Sequence, residues 1–272
     1  MESINSYQPM PPYRILATDL DHTLLREDLS LSEKTLSVLL RCHGQGMRVV
    51  LATARPFRAV VRFCASFRYD AVVCLNGAAV YEGGHCVQTL GIEPGLARTL
   101  AAQARHLQPD VGISIEINDR LYANFDIPAL WKETAFHIVD ASTDFSDMPD
   151  DPAEKILLSM LLPETARRLS ETLPGTLGLE RDRTGLYYIQ RRDVNKVHGL
   201  RFLAQRWDVP LREAVAFGDD LADVEMLAAC GRGVAVSNAL EAVQAAADEI
   251  CPSNQEDGVA RWMEAHCLFN TP

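Results

Sequence analysis

Tyr13–Leu25 reads YRILATDLDHTLL. The first half, RILAT at 14–18, is an apolar run of the kind that forms a strand buried on both faces. Two aspartates then follow with one residue between them, Asp19 and Asp21. Carboxylates that close disfavour each other's ionisation, and burial adds to the cost. A chain keeps such a pair where a cation or a reaction offsets that cost.

Outward from this stretch, strand-like and helix-like segments alternate. SEKTLSVLLRCHGQG (32–46) predicts a helix ending at Gly44 or Gly46, and MRVVLAT (47–53) a second strand. PFRAVVRFCASF (56–67) predicts a helix with proline in its first turn, and DAVVCL (70–75) a third strand. Apolar strands separated by helices indicate a parallel sheet covered on both faces. AVYEGGHCVQTL (79–90) predicts a hairpin turning at Gly83-Gly84. The pattern then changes. GISIEIND and RLYANF (112–125) read as an antiparallel pair, and KILLSML and GLYYIQR as strands with one solvated face. Parallel α/β character returns with NKVHGLRFLAQRW, EAVAF, DVEMLAACG and RGVAV. The expected fold class is α/β: a doubly wound, mainly parallel Rossmann-like core from residues 1–83 and 191–272, with an α+β unit inserted at 84–190.

Composition narrows the function classes. The chain has 272 residues, 47% of them apolar, enough for a sizeable core. A net charge of −11 argues against nucleic acid or an anionic membrane as partner. It leaves a phosphorylated small molecule open, because a local metal overrides the global sign. The seven cysteines are odd in number and contain no C-x-x-C pair, which speaks against a zinc site or a disulfide framework and suits a reducing cytoplasm. MESINSYQPMPPY shows no basic segment followed by an apolar one, so no signal peptide is expected. The longest apolar stretches, such as ILLSMLL (156–162), are too short to span a bilayer.

In an open α/β sheet, ligands bind beyond the carboxyl ends of the strands. Asp19 and Asp21 follow the first strand, Thr53 ends the second, and Asn76 follows the third. Gly218-Asp219-Asp220 follows EAVAF, with Asp223 four residues beyond Asp219, and Lys196 opens the helix after the insertion. Taken singly, these residues have ordinary roles: a solvated turn, a strand-end cap, a helix lysine, an N-cap pair. Their order and placement together indicate one site. Asp19, Asp219 and either Asp220 or Asp223 supply hard oxygens that suit Mg²⁺. Lys196 and Thr53 offer a charge and a hydroxyl to phosphate oxygens, and Asn76 is a further phosphate-binding candidate. A carboxylate can attack phosphorus, and a second one nearby can move the proton.

These residues resemble the four motifs of the haloacid dehalogenase (HAD) superfamily: Asp19-Leu-Asp21-His22-Thr23-Leu24, Thr53 in LATARP, Lys196 in VNKVHGL, and GDDLADVEML (218–227). LNGA (75–78), GVAVSNA (233–239) and EDGVA (256–260) resemble its Cof-like phosphatase branch, which carries a large α/β cap where the insertion falls. The resemblance implies that Asp19 is the nucleophile and Asp21 the general acid/base, its backbone carbonyl also binding Mg²⁺. It implies that Thr53 and Lys196 hold the phosphoryl group, that Asp219 binds the metal, and that Asp223 binds or orients it. The substrates it implies are small phosphate monoesters such as sugar phosphates. Three positions depart from the pattern. His22 and Ala54 stand where glycine is common, and Ala222 where asparagine is frequent. Trp131, Tyr187 and Tyr188 lie in the insertion, where packing and pocket lining are both open. The remaining histidines show no ligand spacing.

The expected activity is therefore a Mg²⁺-dependent phosphatase acting through an aspartyl-phosphate. A phosphomutase using the same intermediate and a phosphorylatable receiver-like module are the alternatives. The inserted unit and the second aspartate argue against the receiver.

Overall fold

The computed structural model describes residues 12–64, 67–125, 139–141, 144–182 and 184–268. Their strands are β1 (Ile15–Thr18), β2 (Arg48–Ala52), β3 (Ala71–Cys74), β4 (Ala79–Glu82), β5 (His85–Thr89), β6 (Gly112–Ile117) and β7 (Arg120–Ala123). Then come β8 (Val139–Ala141), β9 (Lys155–Ser159), β10 (Leu177–Arg181), β11 (Tyr187–Arg191), β12 (Ala214–Gly218), β13 (Arg232–Val236) and β14 (Glu249–Cys251). The helices used below are α1 (Glu33–Gly44), α2 (Phe57–Phe63), α3 (Pro94–Leu107), α4 (Pro163–Thr172), α5 (Lys196–Arg206), α6 (Val224–Ala229), α7 (Glu241–Ala246) and α8 (Gly258–His266).

One sheet has the order β14-β13-β12-β1-β2-β3-β4-β5, and a separate one the order β10-β11-β9-β6-β7-β8. β1 runs parallel to both neighbours, Thr18 pairing with Phe217 on one side and Leu51 on the other. All four residues of β1 are fully buried. Every side chain of the strand is therefore spent on packing, and polar function is pushed to the residue that follows it. The fold is α/β, with one parallel-dominated sheet and a second, mostly antiparallel sheet.

The chain divides into two compact units. The first takes the described residues of Met1–Ala52, Phe63–Val72 and Leu200–Pro272; the second takes Thr53–Arg62 and Val73–Gly199. In the first, Ser32 caps α1 by accepting the Thr35 amide at 3.0 Å, and α1 packs against α8. In the second, strand alternation separates two faces of the six-stranded sheet. Ile113, Ile115, Ile156, Leu158 and Ile189 join Leu100 and Ala104 of α3 and Leu169 of α4 in one apolar core. Ser114, Glu116, Lys155 and Gln190 occupy alternating positions and are buried as well. The turn between β4 and β5 falls at Gly83-Gly84. Among the described residues, no helix is long and apolar enough to cross a membrane.

Candidate active site

The chain leaves β1 at Asp19, whose amide donates to the Phe217 carbonyl at 3.0 Å. That bond sets Asp19 beside the end of β12. A kinked helical turn, Leu20–Leu24, follows, with non-helical backbone at Asp21 and His22. His22 is left-handed, at φ 59°. Glycine takes that backbone conformation without strain. The turn brings Thr23 inward, where its buried hydroxyl donates to Asp219 Oδ1 at 2.9 Å.

Asp219 follows β12, and Asp223 follows one 3₁₀ turn later. Asp223 Oδ2 accepts the backbone amides of Asp219 and Asp220, each at 3.0 Å. This needs glycine at 218, because a Cβ there would stand 2.6 Å from Asp223 Cγ. The Asp220 side chain instead caps the turn, accepting the Leu221 amide at 2.6 Å. Ala222 is exposed.

Asp19, Asp219 and Asp223 are all buried, and one carboxylate oxygen from each lies within 4.8 Å of the others. The donor set is three hard oxygens, which fits a divalent cation such as Mg²⁺. Of the two acids open at the sequence level, Asp223 joins the group and Asp220 does not. Asp21 is half-buried and its carboxylate is outside the group.

Two asparagines hold the turn in shape. Asn238 Nδ2 donates to the His22 carbonyl at 2.8 Å, and Asn238 Oδ1 accepts the Asn254 amide at 3.0 Å. The buried Asn254 Nδ2 donates to the Leu25 carbonyl at 2.9 Å. Arg26 pairs with Asp257 at 3.0 Å. Asn238 and Asp257 were visible in the sequence within the weak signals GVAVSNA and EDGVA, without a role; Asn254, two residues before the second, was not.

The other predicted residues belong to the second unit. Thr53 directly follows β2 and is fully buried; its Oγ1 accepts the Arg55 amide at 3.1 Å. Its carbonyl accepts the Asn76 amide at 3.0 Å. Asn76 is left-handed, at φ 56°, and its buried Oδ1 has no hydrogen-bond partner among the described residues. Lys196 is the first residue of α5 and is 3% exposed. Asn195 caps that helix, accepting the His198 amide on Oδ1 at 2.8 Å. Gln190 donates to the Leu75 carbonyl at 2.7 Å. In the insertion, Tyr188 donates its hydroxyl to Glu180 at 2.6 Å and lies under the Lys155 ammonium, while Tyr187 packs on the apolar core. Trp131 and His137 lie outside the described residues. Burial pushes the thiols of Cys42, Cys230, Cys251 and Cys267 up to about 12, which disfavours a thiolate nucleophile at those positions.

Residues 16–263 match the family model of haloacid dehalogenase-like hydrolases. The chain is 27% identical to the 5-amino-6-(5-phospho-D-ribitylamino)uracil phosphatase YitU of Bacillus subtilis, over 94% of this chain and 97% of that one. It is 25% identical to the pyridoxal phosphate phosphatase YbhA of Escherichia coli, over 94% and 99%. A haloacid dehalogenase-like hydrolase from Bacteroides thetaiotaomicron shares the fold at a TM-score of 0.83 and 24% identity, over 93% and 99%. With the acid group at the carboxyl end of a parallel sheet and a family match over nearly the whole chain, this protein belongs to the haloacid dehalogenase-like hydrolases, in their Cof-like branch of phosphomonoesterases.

Proposed function

We propose that this phosphatase hydrolyses small phosphate monoesters, sugar phosphates or related metabolites, with Mg²⁺ and through an aspartyl-phosphate on Asp19. The observation that carries the reading is the buried group of Asp19, Asp219 and Asp223. A nucleophile that shares its surroundings with two more carboxylates needs a cation to hold its charge.

An Asp19 carboxylate oxygen attacks phosphorus. The bond from phosphorus to the leaving oxygen breaks, and Asp21 gives that oxygen its proton. Asp21 then takes a proton from water, whose oxygen attacks phosphorus. The bond to Asp19 breaks and inorganic phosphate leaves. Thr53, Asn76 and Lys196 hold the non-bridging oxygens in this reading, and their burial or left-handed backbone suits rigid positioning. Asp19, Asp219 and Asp223, with the Asp21 backbone carbonyl, would hold Mg²⁺. When bound, Mg²⁺ neutralises charge on the transferring phosphoryl group. Residues 84–190 act as a cap that sets specificity, between core segments 1–83 and 191–272. Seven free cysteines support a reducing, cytoplasmic location.

The test is phosphate release from a panel with Mg²⁺ or chelator, for wild type and Asp19→Asn. Sugar phosphates, pyridoxal phosphate and 5-amino-6-(5-phospho-D-ribitylamino)uracil belong in the panel. Turnover lost in both the chelator and the variant supports the reading. Activity surviving in Asp19→Asn removes Asp19 as nucleophile. An isomerised sugar phosphate without free phosphate makes the protein a mutase.

A further inference from the structure

The helix after Thr53 takes its N-terminal cap from far along the chain. Residues 54–56 are Ala-Arg-Pro and offer no side-chain acceptor. Instead the Arg58 amide donates to Asp119 Oδ1 at 3.0 Å. Asp119 stands in the two-residue turn between β6 and β7, inside the insertion. Asn118 and Asp119 sit at φ 51° and 61°, and Ile117 pairs with Arg120 across the turn. That is the turn geometry in which Asn followed by Gly is favoured. Aspartate at the second position accepts a left-handed backbone that glycine would take without strain. Its carboxylate is what glycine lacks.

The Arg58 side chain completes the contact. Its Nη1 and Nη2 each donate to Glu116 at 2.8 Å, and Nη1 lies 3.4 Å from Asp119 Oδ1. Arg58 and Glu116 side chains are 9% and 4% exposed. A paired, bidentate, nearly dry ion pair has one geometry, and it transmits position rather than merely holding charge. Only Ala54, Arg55 and Pro56 separate Thr53 from this anchored helix, and the Thr53 hydroxyl is fixed by the Arg55 amide.

We propose that Asp119, Glu116 and Arg58 form a clamp by which the insertion fixes the segment Thr53–Phe57, and that Asp119 is a positioning residue for phosphoryl binding. The clamp rests on the reading of Thr53 as a phosphoryl-holding residue. It makes the strained Asp119 a functional choice and links the part of the chain that sets specificity to the part that grips phosphate.

The test uses Asp119→Gly and Asp119→Asn in the full chain. Glycine suits the turn, so the thermal midpoint should match or exceed that of wild type. Inorganic phosphate binding, followed by calorimetry with Mg²⁺, should weaken about 10- to 100-fold, and kcat/KM for a small phosphate monoester should fall by the same factor. Asp119→Asn keeps an acceptor oxygen and should stay within about threefold of wild type. A well-folded Asp119→Gly with unchanged phosphate binding and kcat/KM overturns the clamp. Equal losses in both variants also overturn it, since the acceptor oxygen would then be irrelevant. A wild type that binds phosphate but releases none from any ester instead removes the phosphatase reading, and phosphate binding still decides the clamp.

Discussion

Asp223 fixes the backbone of Asp219: its Oδ2 accepts the Asp219 amide at 3.0 Å, within a group of three buried acids. The contact exists because Gly218 leaves room for it. Gly218→Ala would drive a Cβ into Asp223. We expect a destabilisation of about 1–3 kcal/mol from overpacking. On the proposed reading of the three acids as a Mg²⁺ site, we also expect a fall of about 10- to 100-fold in Mg²⁺ affinity, because Asp223 is displaced from Asp219. Urea unfolding and the Mg²⁺ dependence of turnover measure the two effects. A variant with normal Mg²⁺ dependence would mean that the Asp223 bonds do not orient the site.

His22 tests whether its imidazole takes part or whether the position only needs a backbone shape. It is exposed and left-handed, so a bystander should be replaceable. His22→Ala keeps the strained backbone; His22→Gly relieves it. We expect Gly to be more stable than Ala by about 0.5–1 kcal/mol, with kcat within about threefold of wild type in both. Chemical denaturation and steady-state kinetics give the comparison. A tenfold loss of kcat in both variants would instead place the imidazole at the leaving group.

Asn254 is buried and donates to the Leu25 carbonyl at 2.9 Å, at the end of the turn that begins with Asp19. Asn254→Ala leaves that carbonyl without its donor. The expected cost is about 1–3 kcal/mol. Because the turn carries Asp21, kcat should fall several-fold while KM changes little. Asn238→Ala removes an exposed link in the same chain of bonds and should show a smaller version of both effects. If Asn254→Ala lowers only the thermal midpoint, the asparagine holds the fold and not the chemistry.

How far the sequence carried these conclusions depended on the distance between a residue and its physical reason. β1, β2 and β12 were legible because each is a largely apolar run with a polar residue directly after it, as in Ile15–Thr18 and then Asp19. The positions of Thr53 and Asp219 directly after β2 and β12, and of Lys196 at the start of α5, were legible for the same reason: strand ends and helix starts are local events. The residues alone did not choose between Asp220 and Asp223, because a carboxylate at either position can cap a turn; only the resemblance pointed to Asp223. Only the direction of the chain after Gly218 decides which one faces inward. Asn254 was silent, since its partner is the carbonyl of Leu25, 229 positions away. β14 was equally silent: Glu249–Cys251 is three residues long and has no pattern of its own beyond its pairing with β13. Arg58, Glu116 and Asp119 carry no signal in a one-dimensional view, because 58 or more positions separate Arg58 from its two partners and only the turn at Asn118 brings them together.

Glu154 gives the protein a stability that depends on pH. The residue is 1% exposed; its Oε1 accepts the Asn118 amide at 3.1 Å, and its Oε2 has no hydrogen-bond partner among the described residues. Burial is the main cause that lifts its carboxyl from 4.5 to about 8, with Glu116 and Asp119 adding repulsion and the backbone bonds pulling the other way. The folded chain therefore keeps a proton that the unfolded chain has released above about 4.5. Stability from that proton is complete at low pH and is lost as pH rises through the window from 4.5 to about 8. We expect the unfolding free energy of wild type to drop across this window relative to Glu154→Gln, by on the order of 3 kcal/mol. Glutamine mimics the neutral carboxyl and has no proton to lose, so the variant should gain on wild type at pH 8 more than at pH 5. Parallel curves for the two proteins would show that Glu154 ionises alike in the folded and unfolded chains, and would leave its lone Oε2 to be accounted for by an ordered water.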